Sequence, residues 1–330
     1  MHMNVLYQFN EKYAPYAGVS ITSLFENNKN ADEICVYILG ENLSETSKRK
    51  LKSLEQEYKR KILFKDTQAL VEKMKEWGVP AYRGSYAANM RLFLPMILQE
   101  DVDRILYLDA DTIVQGSLQP LFGMEDAKAA LGMVLDSLGQ NHKRTIGLRE
   151  EDLYYNSGVI LFFMSNWKEY RCTERIIEHI EAGNTMYSAP DQDLLNVVCR
   201  EEILKLPAKY NAQPVHRVYH VNDYFKCYGS RAYYSEEEIE KLKDDTVIYH
   251  CFRFLGEFPW DKDNLHPDRK LFDYYLEKSP WEDYIRRKAE VTFPMKVEKL
   301  LFKMLPHGMF LRIFHIFHNL YVEGKKEIKA

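Results

Sequence analysis

The chain has 330 residues, of which 46% are hydrophobic and 28% are charged. This is the composition of a globular protein with a large core, and it excludes a disordered or fibrous chain. The formal net charge of -4 gives no electrostatic reason to expect a nucleic-acid partner, and we predict none.

The cysteine pattern and the absence of long apolar segments indicate in which cell compartment the protein works. The five cysteines are scattered through the chain without a C-x-x-C pair, which argues against a disulfide framework or a zinc knuckle and fits a reducing environment. No basic segment followed by a long apolar run opens the chain, and no apolar stretch approaches the length of a membrane span. We therefore expect a cytoplasmic protein, with the inner face of the cell membrane as a second location.

Short apolar runs alternate with helical patterns along the first two-thirds of the chain. Strands are predicted at residues 5–9, 33–39, 61–65, 104–108, 130–136, 157–163 and 247–251. Helices are predicted at residues 15–28, 44–58, 66–77, 85–98 with an interruption at Pro95, 165–183 and 190–199. This alternation predicts βαβ units and an α/β fold with a mostly parallel sheet, in which ligands bind beyond the carboxyl ends of the strands.

The chain changes character after about residue 280. Residues 286–330 carry a formal balance of +6, whereas the remainder carries -10. Two apolar stripes recur at helical spacing there. They comprise Val297, Leu300, Leu301, Met304 and Leu305, and then Phe310, Ile313, Phe314, Phe317 and Tyr321. Basic amphipathic helices are typical of membrane surfaces, but the same pattern serves packing on a core or a second subunit. We predict a main domain at 1–280 and a basic helical extension at 281–330.

Two aspartates directly follow the apolar strand RILYL. Residues i and i+2 of an extended segment point to the same side, so Asp109 and Asp111 would aim their carboxylates into one crevice, with small Ala110 between them. A divalent cation would remove their mutual repulsion, and carboxylate oxygens suit Mg2+ or Mn2+. Such a cation can bridge a diphosphate and stabilise charge on a leaving phosphate oxygen. The alternative is a pair of aspartates in an ordinary turn.

Further motifs accompany this D-x-D in a fixed order. RLFLPMIL and DRILYLDADTIVQGSLQPLF are followed by YYNSGVILFFMSNWK, DQDLLN, LPAKYNAQ and IYH. The ordered set, from about Val5 to Trp260, resembles the family 8 glycosyltransferases. The resemblance implies a GT-A fold, which has a Rossmann-like, mostly parallel central sheet with flanking helices. It also implies a metal-dependent enzyme that transfers a sugar from a nucleotide donor with retention of anomeric configuration.

The resemblance assigns the metal ligands. Asp109 and Asp111 match the metal-binding D-x-D, and His250, at the end of the strand VIYH, matches the third protein ligand. An imidazole beside two carboxylates favours Mn2+ over Mg2+.

The resemblance also implies roles around the donor sugar. Arg91 resembles an arginine near the sugar and phosphates, with a surface salt bridge as the alternative. Asn156 matches an Asn-x-Gly turn that lines the sugar site, or is a left-handed turn residue. Asp136 resembles a carboxylate near the transferred sugar, Asp191 would hold sugar hydroxyls, and Gln192 would lie beneath the anomeric carbon. Asp191 is also favoured simply as a helix N-terminal residue.

The segment YQFNEKYAPY resembles the nucleotide-binding edge of the family. It places Gln8 in the donor site, Asn10 where an aspartate often contacts uracil, and Tyr13 where a ring stacks on the base. Core packing is the alternative for Tyr13.

One motif departs from the family pattern. A lysine that contacts the donor phosphate is replaced by Phe258, although Gly256 and Trp260 are in place. A phenyl ring cannot bind phosphate, and we predict that the guanidinium of Arg253 supplies the missing cation.

These features predict a hexosyltransferase that moves glucose or galactose from a UDP-sugar to a hydroxyl of a glycan or glycolipid. Cell-envelope polysaccharide or lipopolysaccharide synthesis is the expected context, with peripheral membrane contact through residues 286–330. Two alternatives remain. Phe258 would suit a sugar-nucleotide-binding or membrane-docked protein with a degenerate site. An aspartate-nucleophile phosphatase also carries D-x-D after a strand, but it usually has Thr or Val where this chain has Ile113.

Overall fold

The computed structural model describes residues 2–82, 84–98, 102–137, 142–184, 187–228 and 233–327, and their side chains apart from those of 144, 228 and 318–327. The strands are β1 His2–Asn10, β2 Glu33–Glu41, β3 Lys61–Lys65, β4 Arg104–Leu108, β5 Thr112–Val114, β6 Leu131–Leu135, β7 Tyr155–Phe163, β8 Ile203–Lys205 and β9 Ile248–His250. The helices are α1 Ala14–Asn27, α2 Glu45–Tyr58, α3 Gln68–Glu76, α4 Leu94–Ile97, α5 Gln119–Phe122, α6 Met164–Glu169, α7 Cys172–Glu181, α8 Pro190–Val198, α9 Pro214–Val218, α10 Val221–Tyr228, α11 Glu236–Asp245, α12 Arg269–Glu277, α13 Phe293–Met304 and α14 His307–Glu327.

A seven-stranded sheet forms the centre of the molecule, in the order β3-β2-β1-β4-β7-β6-β8. The first four strands of this order are mutually parallel, and β6 is parallel to β8. Only β7 runs against its neighbours, β4 and β6. The predicted α/β fold with a mostly parallel sheet and flanking helices is therefore confirmed. Because β7 is reversed, its first residues lie beside the carboxyl end of β4.

A second, two-stranded sheet carries part of the site. Strand β5 pairs antiparallel with β9, so that Thr112 lies opposite His250. This pairing brings the end of β9 next to the residues that follow β4. The predicted strand at 247–251 exists, but it belongs to this ribbon and not to the central sheet.

Two helix predictions need correction. The helix predicted at 165–183 is two helices, α6 and α7, because Arg171 between them adopts a left-handed conformation with φ 51°. The segment predicted as a helix at 85–98 is a 3-10 helix at Ala87–Phe93 followed by α4. Pro95 does not interrupt that helix but stands in the first turn of α4, where its fixed φ and missing N–H are tolerated.

The basic extension forms two helices, α13 and α14, and both were predicted. Their apolar stripes are divided between the core and solvent. Phe310 and Leu311 are buried, whereas Leu300, Met304 and Phe317 are exposed. The side chain of Tyr321 lies outside the described residues. Within the described part of the chain, we find no helix with both the length and the apolar character that crossing a bilayer requires.

A buried histidine in α9 gives the fold a predicted acid sensitivity. Nδ1 of His216 accepts from the backbone N–H of Gln213 at 3.3 Å, and Nε2 faces the hydroxyl of Tyr233 at 2.9 Å. Burial lowers the pKa of His216 to about 3. The unfolded chain takes up this proton below about pH 6.5 and the folded chain does not, so stability present above that pH is lost as the pH falls.

We expect this histidine to destabilise the protein by about 2 kcal/mol between pH 7.5 and pH 5. The variant His216→Gln keeps an acceptor for the N–H of Gln213 but cannot titrate. Urea unfolding at both pH values should therefore show a smaller pH-dependent loss in the variant than in the wild type. Equal losses in the two proteins would contradict the prediction.

Candidate active site

Three side chains with metal-ligand chemistry meet beyond the carboxyl end of β4. Asp109 and Asp111 follow that strand, and His250 is the last residue of β9. Nε2 of His250 lies 3.3 Å from Oδ1 of Asp111 and 3.6 Å from Oδ2 of Asp109. One ligand atom from each residue lies within 4.8 Å of the others. This oxygen-oxygen-nitrogen set suits one divalent cation, and its geometry fits the predicted metal ligands.

Neighbouring amides orient the imidazole toward the carboxylates. Nδ1 of His250 donates to Oδ1 of Asn211 at 3.0 Å, and Nδ2 of Asn211 donates to Oδ1 of Asn156 at 2.8 Å. This turns Nε2 toward the two aspartates, where it can offer a lone pair to a metal ion. Burial lowers the pKa of His250, but the carboxylates of Asp111 and Asp109 outweigh burial and raise it above its usual value.

A glycine makes room for this imidazole. A Cβ atom at Gly158 would lie 2.1 Å from Cε1 of His250 and 2.5 Å from its Nδ1. The carbonyl of Gly158 also accepts from the N–H of Asp109 at 2.8 Å, so the same residue connects β7 to the end of β4. Any side chain at position 158 would therefore displace the ring of His250.

Arg91 is an internal cation of the site. It is buried, and its guanidinium lies 3.3 Å from Oδ1 of Asp109 and 3.3 Å from Oδ2 of Asp191. The guanidinium also stacks 3.9 Å from the centre of the Tyr107 ring, and the hydroxyl of Tyr107 donates to Asp109. The alternative of a surface salt bridge is therefore wrong for Arg91, which neutralises part of a buried carboxylate cluster.

Hydrogen bonds fix the side-chain amide of Gln192. Its Oε1 accepts from the backbone N–H of Ser157 at 3.0 Å, and its Nε2 donates to the hydroxyl of Tyr154 at 2.8 Å. Asp136 accepts from Nδ2 of Asn156 at 3.0 Å and lies 3.5 Å from Nε2 of Gln192. Asn156 stands within β7 and not in a left-handed turn. Three of the predicted sugar-site residues thus form one hydrogen-bonded group.

The predicted helix N-terminal position of Asp191 is confirmed, and its contact with sugar hydroxyls stays a prediction. It lies in the first turn of α8, and its Oδ2 accepts from Oγ of Ser157 at 3.1 Å while pairing with Arg91. Burial raises the pKa of the Asp191 carboxyl, with Arg91 opposing that effect and Asp109 adding to it.

A cavity of about 300 Å³ adjoins the carboxylates. It is lined by Gln8, Phe9, Asn10, Tyr13, Tyr82, Ser85, Ala87, Ala88, Arg91, Tyr107, Asp109, Ala110, Asp111, Ser157 and Asp191. Nε2 of Gln8 donates to the carbonyl of Ala88, which leaves Oε1 of Gln8 as an unpaired acceptor, and Oδ1 of Asn10 is likewise unpaired. Buried acceptors are normally hydrogen-bonded, so these two oxygens could accept from a bound ligand. Tyr13 both lines this cavity and packs edge-on against Tyr16, at 5.4 Å.

A larger cavity, of about 860 Å³, lies at the carboxyl ends of β2 and β3. Its lining carries both signs of charge, including Lys48, Lys75 and Glu72, and includes none of the three metal-ligand side chains. The chemistry of the smaller cavity makes that one the candidate active site.

The predicted phosphate-binding cation is placed differently from Arg91. Arg253 is exposed, and its guanidinium lies 5.4 Å from the centre of the Phe258 ring. Neither Arg253 nor Gly256 is among the described residues that line the 300 Å³ cavity. The role of Arg253 stays a prediction.

Several residues of the site were not singled out from the sequence. Asn211 and Ser157 lie inside the motifs LPAKYNAQ and YYNSGV, but the resemblance assigns no role to either residue. Tyr107 belongs to the apolar strand β4, and its hydroxyl reaches the carboxylate of Asp109. Asp193 lies in the DQD segment without a predicted role, is fully buried and accepts from the hydroxyl of Tyr154 at 2.6 Å. A polar residue inside an otherwise apolar run, as at Tyr107, is the signal that could have found one of them.

Comparison with known proteins places the chain in a family. The profile of Glycosyl transferase family 8 matches residues 4–264. A lipopolysaccharide 1,2-glucosyltransferase of Escherichia coli K12 is 28% identical, over 91% of this chain and 85% of its own. General stress protein A of Bacillus subtilis 168 is 22% identical, over 84% and 94%. The solved galactosyltransferase LgtC, in complex with donor and acceptor sugar analogues, shares the fold with a TM-score of 0.67 and 21% identity, over 84% and 96%. The family match covers most of the chain, and the chain therefore belongs to glycosyltransferase family 8 and is a glycosyltransferase.

Proposed function

We propose that the protein transfers glucose or galactose from a UDP-sugar to a hydroxyl group of a glycan or glycolipid. The observation that carries this proposal is the convergence of Asp109, Asp111 and His250 beside a cavity lined with unpaired acceptors. A pyrophosphate needs a cation and a uracil offers an N–H donor, so the carboxylates and the unpaired acceptors of this cavity complement two parts of a UDP-sugar.

The metal in this proposal is Mn2+, with Mg2+ as the alternative. Asp109, Asp111 and His250 would hold it, and when bound it would neutralise the charge that develops on the departing UDP. The same three residues bind no metal well if the imidazole is protonated, because a metal ligand must offer a lone pair. Asn211 keeps the unprotonated nitrogen turned toward the aspartates.

The remaining residues of the site orient the sugar. Asp191, Asn156 and Asp136 offer carboxylate and amide groups to its hydroxyls, and the guanidinium of Arg91 lies between two of the site's carboxylates. A diphosphate leaves readily, so no strong general acid is required, unlike glycoside hydrolysis.

Retention of configuration fits attack from the same face as the leaving group. A double displacement needs a nucleophile beneath the sugar, and the carboxamide of Gln192 is a weak one whose oxygen already accepts from Ser157. We therefore favour front-face attack, in which the acceptor oxygen bonds to the anomeric carbon as the bond to UDP breaks. The phosphate oxygen of the departing UDP takes the acceptor's proton.

Two comparisons bear on the acceptor. The relative from Escherichia coli carries the name of a lipopolysaccharide glucosyltransferase, and the solved neighbour is a galactosyltransferase. We extend from these names a role in cell-envelope or lipopolysaccharide synthesis, on the cytoplasmic side of the membrane. The family match argues against the phosphatase and the non-catalytic alternatives.

Peripheral membrane contact through residues 286–330 is part of the proposal. The extension is basic, and Phe293, Leu300, Met304 and Phe317 are exposed on it. Cosedimentation with vesicles containing anionic lipid should require these residues; a deletion of 286–330 that still binds such vesicles would contradict the membrane role.

A thermal-shift panel of nucleotide sugars, with and without Mn2+, tests the function. Ligands that bind the native state raise the midpoint of unfolding, and we expect the largest rise for one UDP-hexose together with Mn2+. Slow hydrolysis of that donor without an acceptor should then separate an enzyme from a mere binder. A panel in which no UDP-sugar raises the midpoint would refute the proposal.

We predict that Arg253→Ala weakens donor binding by about tenfold, since a guanidinium that pairs with phosphate contributes roughly 1.5–3 kcal/mol when charge-assisted. Isothermal titration with the UDP-sugar found in the panel measures this effect. Arg149→Ala, which removes an exposed arginine paired with Asp152, is the control. Unchanged affinity in Arg253→Ala would show that another group replaces the missing lysine.

A further inference from the structure

The segment that follows the histidine ligand forms a closed loop. Phe254 and Glu257 exchange two backbone hydrogen bonds, at 2.8 and 3.0 Å, and Gly256 between them has a φ of 79°. Glycine takes this conformation without strain, whereas a residue with a Cβ would not. These hydrogen bonds and Gly256 define the shape of the loop. Its position relative to His250 depends on contacts with other segments.

Helix α13 of the C-terminal extension supplies that support. Lys299 forms an ion pair with Glu257, whose side chain is only 5% exposed and whose other oxygen accepts from the backbone N–H of Leu265 at 3.0 Å. Phe302 packs edge-on against Phe254, with ring centres 5.5 Å apart. A buried carboxylate that loses its cation is costly, so Lys299 and Glu257 hold each other in place.

Glycine 256 lies directly against the same helix. A Cβ at Gly256 would lie 3.0 Å from the sulfur of Met295 and 3.3 Å from a methyl group of Val291. Three contacts of different kinds, ionic, aromatic and aliphatic, thus join α13 to three residues of the loop, Glu257, Phe254 and Gly256.

The other side of the loop leads to the donor cavity through aromatic rings. Phe258 stacks on Trp260 at 4.6 Å with an interplanar angle of 9°, and Trp260 stacks on Tyr16 at 3.9 Å with an angle of 17°. Tyr16 packs edge-on against Tyr13, which lines the cavity. Aromatic pairs at these distances are stabilised by packing, so the rings form a continuous series of contacts from Phe258 to Tyr13.

We propose that Glu257 and Lys299 are a positioning pair through which α13 fixes the loop and the cavity wall, so that donor binding depends on the docked extension. This inference rests on the proposed function, because it takes UDP with Mn2+ as the ligand of the cavity. Neither residue contacts the ligand; both act through the loop and the aromatic stack. The extension then positions one wall of the donor site without contacting the donor.

Isothermal titration of the full chain with UDP in the presence of Mn2+ tests the pair. We expect Lys299→Met to weaken UDP binding by about tenfold with unchanged stoichiometry, because mutations along a packed network modulate binding by this order. Lys299→Arg keeps the charge and should restore affinity to within about twofold of the wild type. Lys296→Met, on an exposed position of the same helix, is the matched control and should not change affinity.

A second variant helps to separate a loss of UDP binding from a loss of folding. Glu257→Gln keeps an acceptor for the N–H of Leu265 but removes the ion pair, and we expect it to weaken UDP binding as Lys299→Met does. If both variants bind UDP as the wild type does, while their midpoints of thermal unfolding fall, the pair is merely structural and the inference is wrong. If the wild type itself binds no UDP with Mn2+, the proposed function fails first and the inference with it.

Discussion

Asp111→Asn should reduce sugar transfer by about a thousandfold or more and remove its dependence on added Mn2+. The substitution keeps the size of the side chain but removes the charge that lies 3.3 Å from the imidazole of His250. A neutral amide is a weak ligand for a hard cation, so the site would lose one of its three protein ligands. Initial rates of transfer measured over a Mn2+ titration, on the donor identified by the thermal-shift panel, check this result.

The matched control for this variant is an aspartate at the opposite end of β4. Asp103 precedes β4 and is exposed, with its carboxylate 3.5 Å from Arg104. Asp103→Asn changes the same chemical group outside the site and should leave both rate and metal dependence intact. Full activity of Asp111→Asn in the presence of a chelator would exclude the proposed metal site.

Gly158→Ala should strongly weaken metal binding without changing any ligand. The added methyl group would lie 2.1 Å from a ring carbon of His250, so the imidazole must move away from the two aspartates. Displacing a ligand costs at least as much as loss of a residue that orients one, so we expect at least about a hundredfold loss in Mn2+ affinity. Titration of Mn2+ in the presence of UDP, followed by calorimetry, measures the loss.

A second glycine provides the comparison. Gly123 has an ordinary negative φ of -83°, and a Cβ there would contact its neighbours at 3.5 Å. Gly123→Ala should therefore bind Mn2+ like the wild type. If Gly158→Ala kept wild-type Mn2+ affinity, His250 would not be a ligand, whatever the fate of the aspartates.

The carboxylate pair is the part of the site that local rules predict best. Asp109 and Asp111 do converge, but through a turn and not through strand alternation, because the N–H of Thr112 donates to the carbonyl of Asp109 at 3.1 Å. The apolar strand before them fixes where that turn lies. His250 is different, because it joins them only through the pairing of β5 with β9. No local pattern announces that pairing, and the histidine was assigned through resemblance alone.

Other features depend on tertiary contacts that the sequence does not encode locally. The direction of β7 cannot be inferred from its apolar run, since a buried strand reads alike in either direction. Arg171 breaks one predicted helix into two although arginine is a good helix former. Asn211 is an ordinary polar residue until its amide is seen against His250. These contacts join distant segments, and they decide the detail of the site.

The pairing of β5 with β9 also determines when the three side chains of the candidate metal site can come together. A nascent chain emerging from the ribosome presents its two aspartates early, but the imidazole arrives only when synthesis has passed residue 250. Pairing between such distant segments carries a loop-closure cost that slows folding. A chain that has not reached residue 250 therefore lacks one of the three candidate metal ligands, which β9 adds only when it pairs with β5.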